Sequence, residues 1–433
     1  MSFLPLLTRR ALVVMLPVLL LEGCSHLRLP TVRPYERTSL AASHARLAPS
    51  PLALAAVVRS QAWSEAAHGA TQLPSPPRLE AQAELGYAYD NNDTRTVQGP
   101  ALLVRRDFGR HYSASAEVSH EQVNDDSVDL LTLAGGPYHE TRTRYAFDLG
   151  LRDGKSRYGV GYARHSADDA EGNTLRLVFS ESLFGDLTRF TLAHERSKER
   201  YTRRGDASFT GDATRRSYQL AVSHLLTPHL LLGATFEADS AAGYLADPYR
   251  TVRYRDVATA DGYARQPEQL PTLRSSDALA LRAHYTLPWQ AIAGLDYRYF
   301  KDNWGIHAHT TRATYVHYFG DALSVDANLR HYRQDRAYFQ QDLYRQRNAQ
   351  EFLSRDPALA QFSSLGGGLG VTWHFLRSRL GFVTGSTLHA SIEHHRRRYD
   401  DYHDASRLGL ALGSEPLYQS NTTLLQVSVS ASF

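Results

Sequence analysis

Residues 424–433 read Leu-Leu-Gln-Val-Ser-Val-Ser-Ala-Ser-Phe and alternate strictly between apolar and polar side chains. Such period-2 alternation predicts a β-strand with one apolar and one polar face. The apolar face carries Leu425, Val427, Val429, Ala431 and Phe433. This strand fits the edge of a soluble sheet or the wall of a membrane barrel. In a barrel it would have to pair with the first strand, because lipid leaves no place for an open edge.

The composition is that of a barrel rather than of a helical membrane protein. Charged residues make up 21% of the 433 residues, and the mean hydropathy is −0.41. A barrel tolerates this polarity because half of its strand residues face water and its loops are hydrophilic. The formal net charge of +3 is too small to indicate a nucleic-acid partner. The chain has one cysteine, Cys24, so an internal disulfide is excluded.

Alternation begins at Leu79 and continues to the end of the sequence. Most of the alternating segments reach the length of about 9–11 residues that a tilted strand needs to cross a membrane. We predict 16 strands, at 79–90, 97–107, 111–121, 143–152, 155–165, 173–183, 188–198, 215–226, 229–239, 277–287, 291–302, 306–319, 321–333, 364–375, 380–397 and 419–433. A further strand-like stretch at Ser127–Ala134 leaves counts of 14 and 18 open.

The connections between these strands alternate in length. Every second one is tight, as at Asp153-Gly154 and Phe319-Gly320. The others are mostly long, at 122–142, 199–214, 240–276, 334–363 and 398–418, with 90–96 and 166–172 of middling length and a short one near Asp302–Gly305. Short periplasmic turns and long extracellular loops are typical of outer-membrane barrels. The fold prediction is therefore all-β: a closed antiparallel transmembrane β-barrel of about 16 strands over residues 79–433.

Aromatic residues mark the strand ends on the short-turn side, where an interfacial girdle is expected. They are Phe108, Tyr112, Phe184, Phe190, Trp289, Phe319, Phe375, Phe382 and Phe433. A last strand that ends on an aromatic residue also resembles the terminal signature of bacterial outer-membrane barrels. We therefore expect strand 419–433 to close the barrel by antiparallel pairing with 79–90, with both ends of the barrel domain in the periplasm.

The N-terminal residues 1–23 have the parts of an export signal. Arg9 and Arg10 precede an apolar run, Ala11–Leu21, that is too short to span a bilayer. Leu21-Glu22-Gly23-Cys24 then resembles a lipobox, which implies lipidation of Cys24. The alternative is an ordinary signal peptide cleaved nearby. Residues 24–78 are rich in Pro and Ala and predict a periplasmic tether with little core.

Several motifs within 79–433 resemble an uncharacterised family of bacterial outer-membrane barrels, known as a domain of unknown function. The motifs are Pro137-Tyr-His-Glu-Thr-Arg142, Phe184-Gly-Asp-Leu-Thr188, Gly243-Tyr-Leu-Ala-Asp-Pro-Tyr-Arg-Thr-Val-Arg-Tyr254 and Tyr299-Phe-Lys-Asp-Asn-Trp-Gly-Ile306. The resemblance implies the fold and the outer-membrane location, and it implies no activity.

The segment before the barrel resembles a second family, of small uncharacterised lipoproteins often encoded beside such barrels. The resemblance rests on Val32-Arg-Pro-Tyr-Glu-Arg37 and Ser64-Glu-Ala-Ala67. The chain lacks the Gly- and Cys-rich tail of that family, so any role of the tail is not transferred.

Two predicted loops carry the candidate binding residues. The loop 122–142 mixes charges with the apolar stretch Leu130–Leu133, which predicts that it folds into the barrel mouth or lumen. There it is a binding site or a constriction, or else a structural plug or a surface loop. Its candidate contacts are Asp126, Asp129, Tyr138, His139, Glu140 and Arg142. In 240–276, Arg beside Tyr can hold anionic or sugar-like ligands, unless the loop is merely solvated. The candidates there are Tyr249, Arg250, Arg253 and Tyr254.

Charged residues on the polar strand faces are expected to line the lumen, where they either set ion selectivity or pair with one another and fill the space. They are Asp148, Arg152, Glu195, Glu237, Asp239, Asp296, Arg298, Asp326 and Arg330. The histidines of His307-Ala-His309 and His394-His395 lack Cys or carboxylates at metal-ligand spacing, so we predict no metal and no cofactor. No Gly-x-Ser-x-Gly elbow is present, and we predict no enzyme activity.

Three functions are compatible with these features. The first is a lipid-anchored outer-membrane pore for small solutes, because barrels of about 16 strands can enclose an aqueous channel. The second is a non-conducting barrel that anchors or assembles a surface or periplasmic complex, with a protein partner bound through residues 25–78. The third is a hydrolase with its residues on the outer rim. The expected partners are outer-membrane lipid and the barrel-assembly machinery.

Overall fold

The computed structural model describes residues 81–125, 138–376, 383–407 and 410–433. The predicted signal peptide and tether, with Cys24, lie outside these residues, as do Asp126 and Asp129. In the described part of the chain, no helix has the length and apolarity that a membrane crossing requires.

Sixteen antiparallel strands form one closed barrel, and each is hydrogen-bonded to its neighbour in the chain or across an inserted hairpin. The wall consists of β1 (Ala81–Asn92), β2 (Arg95–Phe108), β3 (Tyr112–Asp125), β4 (Tyr138–Asp153), β5 (Ser156–Ala167), β6 (Ala170–Leu183), β7 (Thr188–Arg203), β8 (Asp206–Thr227), β9 (Leu230–Gly243), β12 (Leu273–Leu287), β13 (Ala291–Asp302), β14 (His307–Phe319), β15 (Leu323–Gln334), β16 (Phe362–Leu376), β17 (Gly385–His403) and β18 (Leu417–Ser432). The separate hairpin β10 (Thr251–Arg255) and β11 (Tyr263–Pro267) belongs to a loop. The predicted fold class and the count of 16 are confirmed.

The barrel closes between its first and last strands, as predicted. Strand β18 pairs with β1 in antiparallel register, with Val427 opposite Tyr87 and Val429 opposite Leu85. Strand β18 also pairs with β17 on its other edge. The ring therefore leaves no open edge in lipid, which satisfies the backbone hydrogen bonds that lipid cannot provide.

The two faces of the wall differ as the alternation predicts. On β18, Val427 and Val429 point outward and are 49% and 43% exposed, whereas Ser428 points to the lumen and is 4% exposed. The outward face of neighbouring strands carries Leu85, Phe147, Leu295 and other exposed apolar side chains. An apolar exterior with a polar interior is the arrangement of a transmembrane barrel.

The short-turn end of the barrel is tight and aromatic. Gly109, Gly154 and Gly320 have φ of 65°, 61° and 63°, a left-handed conformation that glycine adopts without steric cost. Around these turns Phe108, Trp289 and Phe319 remain more than half exposed. Such side chains suit the interface between lipid and water.

Three predicted loops are wrong in length. Residues 199–214 were expected to form a long loop, but β7 and β8 continue through them to a tight turn at Arg204-Gly205. Ion pairs such as Arg200–Asp212, at 3.1 Å, join the extended ladder, so polar strands continue beyond the membrane. Tight turns likewise replace the expected loops at 90–96 and 166–172. Apolar alternation in the sequence marks only the part of a strand that faces lipid, whereas the hydrogen-bonded strands continue beyond it.

Candidate functional site

Three long connections pack against one another at the end of the barrel opposite the turns at Gly109, Gly154 and Gly320. We call them the mouth block: residues 244–272, with the hairpin β10–β11, residues 335–361, and the described residues of 404–416. Backbone bonds join the first two, including Tyr344 N to Arg253 O at 2.9 Å and Gln269 N to Leu353 O at 2.9 Å. The side chains of Val252, Tyr344 and Leu353 form a small buried core between them. The mouth block is therefore a folded unit with a core of its own.

The second connection of the mouth block lies against the lumen face of β15–β17. Gln334 is on that face, and its amide donates to Ala358 O at 2.9 Å and Ala360 O at 2.8 Å. Around it, the rings of Tyr332, Phe362 and Tyr399 pack in succession in tilted pairs, with centroids 5.4 and 5.2 Å apart. These side chains belong to the same buried cluster as Phe339 and Leu359 of the block. The block thus enters the lumen rather than standing above the rim.

The first connection reaches the opposite wall through Tyr249. Its ring packs against Tyr138 on the lumen face of β4, with centroids 5.3 Å apart. Its hydroxyl accepts a hydrogen bond from the backbone N–H of Arg204, in the β7–β8 turn, at 2.5 Å. In the ring of 16 strands, β7 and β17 lie eight positions apart, on opposite sides. The mouth block therefore bridges the lumen from wall to wall.

Buried ion pairs hold the centre of the mouth block. Arg253, about 1% exposed, contacts Glu415 at 2.7 Å and Asp342 at 3.0 Å. Arg355 contacts Asp342 at 2.7 Å and donates to Tyr402 Oη of β17 at 2.9 Å. A buried charge that loses its partner costs roughly 3–5 kcal/mol. These four charged groups therefore connect the hairpin, the second connection and the β17 wall.

A second buried charged group lies beside the first. Arg250 contacts Asp356 at 3.4 Å, and Glu268 accepts a hydrogen bond from Ser354 Oγ at 2.5 Å. Burial raises the pKa of Glu268 to about 8, and the neighbouring Asp356 adds to the shift, against the opposing effect of Arg250. Burial therefore favours the protonated, neutral form of Glu268 over the ionised form.

A cavity of about 480 Å³ opens at the side of the mouth block that faces β17. Its lining includes Arg255, Arg336, Gln341 and His403. Arg336 is paired with Asp401 at 3.4 Å, and His403 is within 3.1 Å of Asp342. The charge of this cavity is thus largely compensated from within the protein.

Several lumen-face charges on the wall are paired across strands. Arg298 of β13 and Glu237 of β9 form an ion pair over β12. There Ala278 and Ala280 leave room for it. Arg282 and Asp296 pair at 2.5 Å. In the structure, these residues pair with one another and do not form a ring of like charges.

The four described candidates of the first predicted loop, 122–142, lie on the two opposite faces of one strand. Tyr138, His139, Glu140 and Arg142 belong to β4 and not to a loop. Glu140 and Arg142 face the lumen and pair at 2.8 Å. His139 points outward, where its Nδ1 lies 2.7 Å from Asn124 Oδ1. Alternation by two explains the separation: His139 cannot share a face with its neighbours.

The candidates of the second loop are brought together inside the mouth block. Arg250 and Arg253 are about 5% and 1% exposed, and Tyr254 bridges to Tyr344. The ligand contact predicted for Tyr249, Arg250, Arg253 and Tyr254 stays a prediction. Sequence reasoning missed Asp342 and Glu415, the partners of Arg253, and Arg355, the second arginine on Asp342. Nothing local marks these three, because they lie in other loops and look like ordinary solvated charges.

Within the described residues, the two histidines at the start of β14 are not part of a cluster of metal-binding side chains. His307 and His309 both face outward, and His309 Nδ1 lies 2.8 Å from Tyr297 Oη. Among residues 81–125, 138–376, 383–407 and 410–433, no three His, Cys, Asp or Glu side chains are grouped to hold a metal ion.

Comparison with known proteins gives a family. The family described as "Protein of unknown function (DUF3570)" matches residues 148–430. Among proteins with curated descriptions, none matches the sequence significantly.

Solved structures of similar architecture are distant in sequence. A bacterial polysaccharide outer membrane secretin aligns over 82% of this chain and 99% of its own, at 9% identity and a TM-score of 0.44. OmpT of Vibrio cholerae aligns over 82% and 97%, at 9% identity and a TM-score of 0.41. The outer membrane protein opdK of Pseudomonas aeruginosa aligns over 82% and 99%, at 11% identity and a TM-score of 0.39. Likenesses this distant assign no ligand or role to this chain.

Proposed function

We propose that this chain, which belongs to the DUF3570 family of proteins of unknown function, is an outer-membrane channel for small solutes. The mouth block narrows the extracellular mouth of this channel. The observation that carries the proposal is the bridge from Tyr138 and Arg204 on one wall to Tyr402 on the other. A barrel of 16 strands is wide enough to enclose water. The proposal includes no catalytic step.

The polar lumen supports passage of hydrophilic solutes. Its wall carries paired charges, such as Arg298–Glu237 and Arg282–Asp296, which hold water without a strong field of one sign. The mouth block then sets the narrowest point, because it is the part of the described structure that crosses the lumen. Removing its attachments should therefore change conductance more than removing charges elsewhere.

Conductance of the purified protein in planar bilayers tests the proposal. Arg253→Ala leaves the buried Glu415 without its arginine and removes one of the two arginines on Asp342, so the hairpin should detach and the conductance should rise about twofold or more. Replacing 251–267 by a short Gly-Ser linker should give a similar or larger rise. The matched control is Arg347→Ala, which changes an exposed residue in the second connection of the mouth block. It should leave conductance unchanged.

The same recordings decide between this proposal and a non-conducting anchor. The anchor is favoured by one observation, the hydrogen bonds by which the buried Arg355 ties the mouth block to Tyr402 and to the backbone of His403 on β17. If the native protein and both variants fail to conduct while they remain folded by heat-modifiable gel mobility, the channel is refuted and the anchor is favoured.

The N-terminal segment extends the proposal to the periplasmic side. We place residues 24–78 in the periplasm, with Cys24 lipidated, and propose that 25–78 contacts a periplasmic protein. The short turns and the barrel ends at β1 and β18 lie at one end, which supports this orientation. Labelling with a clickable fatty acid in cells should mark the native protein and not Cys24→Ser. Equal labelling of the two would refute lipidation at this residue.

A further inference from the structure

Three arginines stand close together on the outward face of the barrel near its extracellular end. They are Arg333 on β15, and Arg396 and Arg398 on β17, and all three are exposed. Their register places them on the lipid-facing side: Arg333 and Arg398 both lie opposite Ser363, and Arg396 lies opposite the exposed Leu365. We call these three residues the outer arginine patch.

The spacing of the outer arginine patch suits a small ligand with more than one anionic group. Arg333 and Arg398 are two strands apart, which separates their backbones by about 10 Å. Arg396 and Arg398 are two residues apart on one strand, or about 7 Å. Arginine side chains extend far enough from these positions to meet over one phosphate or a pair of phosphates, and they bind phosphate in a bidentate manner.

Few acids compensate the patch. Among the described residues, no carboxylate forms an ion pair with these three arginines, and Arg396 donates to the neutral Gln419 at 2.7 Å. Two acids follow Arg333 and Arg398 by two residues and contact other groups: Asp335 lies 3.3 Å from His307, and Asp400 accepts from Gln361 at 2.9 Å. On the far wall, by contrast, Arg164 pairs with Glu171 and Arg200 pairs with Asp212.

The height of the patch matches the edge of the membrane. Ten residue steps separate Leu323, at the short-turn end of β15, from Arg333. At about 3.3 Å per residue and a tilt of about 40°, this is roughly 25 Å, the height of the apolar band of such barrels. Leu365, level with Arg396, and Leu369 and Ile392, further toward the short-turn end, face outward and are 56%, 59% and 46% exposed. The patch therefore combines a phosphate-binding head with a surface for acyl chains.

We propose that the outer arginine patch binds the phosphate groups of the glycolipid that forms the outer leaflet of the membrane. The lipid places its phosphates at the level of Arg333, Arg396 and Arg398 and its acyl chains against Leu369 and Ile392. His331 and His394 share this outward face. The site is a property of the wall and is independent of conduction through the lumen.

Retention of lipid by the purified full-length protein tests this inference. Native protein, after exchange into detergent, is incubated with purified bisphosphorylated lipid A and the bound lipid is counted by native mass spectrometry. The triple variant Arg333→Gln, Arg396→Gln, Arg398→Gln should retain about tenfold less. Retention by the native protein should also fall with ionic strength, because the site is exposed.

The control removes three positive charges from the opposite wall: Arg164→Gln, Lys198→Gln, Arg200→Gln. It should retain lipid A like the native protein. Arg398→Gln alone, a milder change in case the triple variant folds poorly, should lose about threefold. Equal losses in the control and the patch variant, unchanged retention in the patch variant, or equal binding of dephosphorylated lipid A would overturn the proposal. Equal binding of phosphatidylglycerol would overturn the assignment to the glycolipid.

Discussion

Buried charges in the mouth block show how individual residues acquire a role that their sequence neighbours do not reveal. Arg253 sits in a run of Arg and Tyr that looks suited to a ligand, yet its guanidinium is occupied by Asp342 and Glu415. Glu268 is a stronger case, because the burial of its carboxyl group outweighs the attraction of Arg250. Burial and Asp356 raise its pKa, and Arg250 lowers it. Asp247 also faces this group and raises the pKa further.

We predict that attachment of the mouth block weakens as the pH rises from about 4.5 to about 8. Below the lower value, the detached and attached forms both hold the proton, and there is no penalty. Between the two values, which are the ordinary and the raised pKa of Glu268, only the detached form ionises, so a rise in pH favours detachment. Glu268→Gln should remove this dependence and slow proteolysis of the block at pH 8.

The measurement is the ratio of cleavage rates between the variant and the native protein at each pH, which cancels the pH profile of the protease. Glu351→Gln, an exposed residue of the second connection, is the control and should give a ratio near one. A constant ratio for Glu268→Gln across the range would contradict the prediction.

Strand β16 shows how side chains of neighbouring strands can determine which residues a strand carries. Its lumen face carries Gly366, Gly368 and Gly370, and the side chains of His395, Glu393 and Asp326 lie against this bare backbone. A Cβ at Gly368 would lie 2.6 Å from Glu393 Cγ and 2.7 Å from Asn328 Nδ2. Glu393 also pairs with Arg312 at 3.2 Å. Glycine has a low strand propensity, but at these three positions it leaves the space that the polar network occupies.

Gly368→Ala should destabilise the barrel by about 1–3 kcal/mol, because the added methyl displaces Glu393 or Asn328. Gly159→Ala is the matched control: it also faces the lumen, and its nearest side-chain neighbour, Val178 Cβ, is 3.6 Å away. The control should be neutral or slightly stabilising. Midpoints of thermal unfolding by heat-modifiable gel mobility measure both, and equal midpoints for the two variants would count against the packing argument.

The whole molecule depends on the contrast between its two faces. Closure through β1 and β18 commits every second residue to lipid, so a residue and its neighbour in sequence meet opposite environments. Val427 and Gln426 are such a pair. Val427 lies six residues before Phe433, or roughly 15 Å along the membrane normal, which is near the middle of the apolar band.

Val427→Arg should therefore cost about 2–4 kcal/mol of the free energy of unfolding, as expected for a cation facing lipid near the midplane. Gln426→Arg, one residue away on the lumen face, should cost far less because the lumen is polar. Equilibrium urea unfolding in phospholipid vesicles compares the two. A similar loss for both variants would mean that the assigned faces are wrong.

The alternation of the strands, as in 424–433, is sufficient to predict the barrel, its closure and its apolar outer and polar inner faces, although three connections are shorter than predicted. These follow from local rules: a strand repeats every two residues, and lipid permits no open edge. The mouth block followed from no such rule. Its partners Arg253 and Glu415 are 162 residues apart, and Arg253 and Asp342 are 89 apart. Only the closed ring brings the three loops to one mouth, where their charges lose water and must pair. The same dependence on tertiary structure separates His139 from the lumen and gathers the outer arginine patch from β15 and β17.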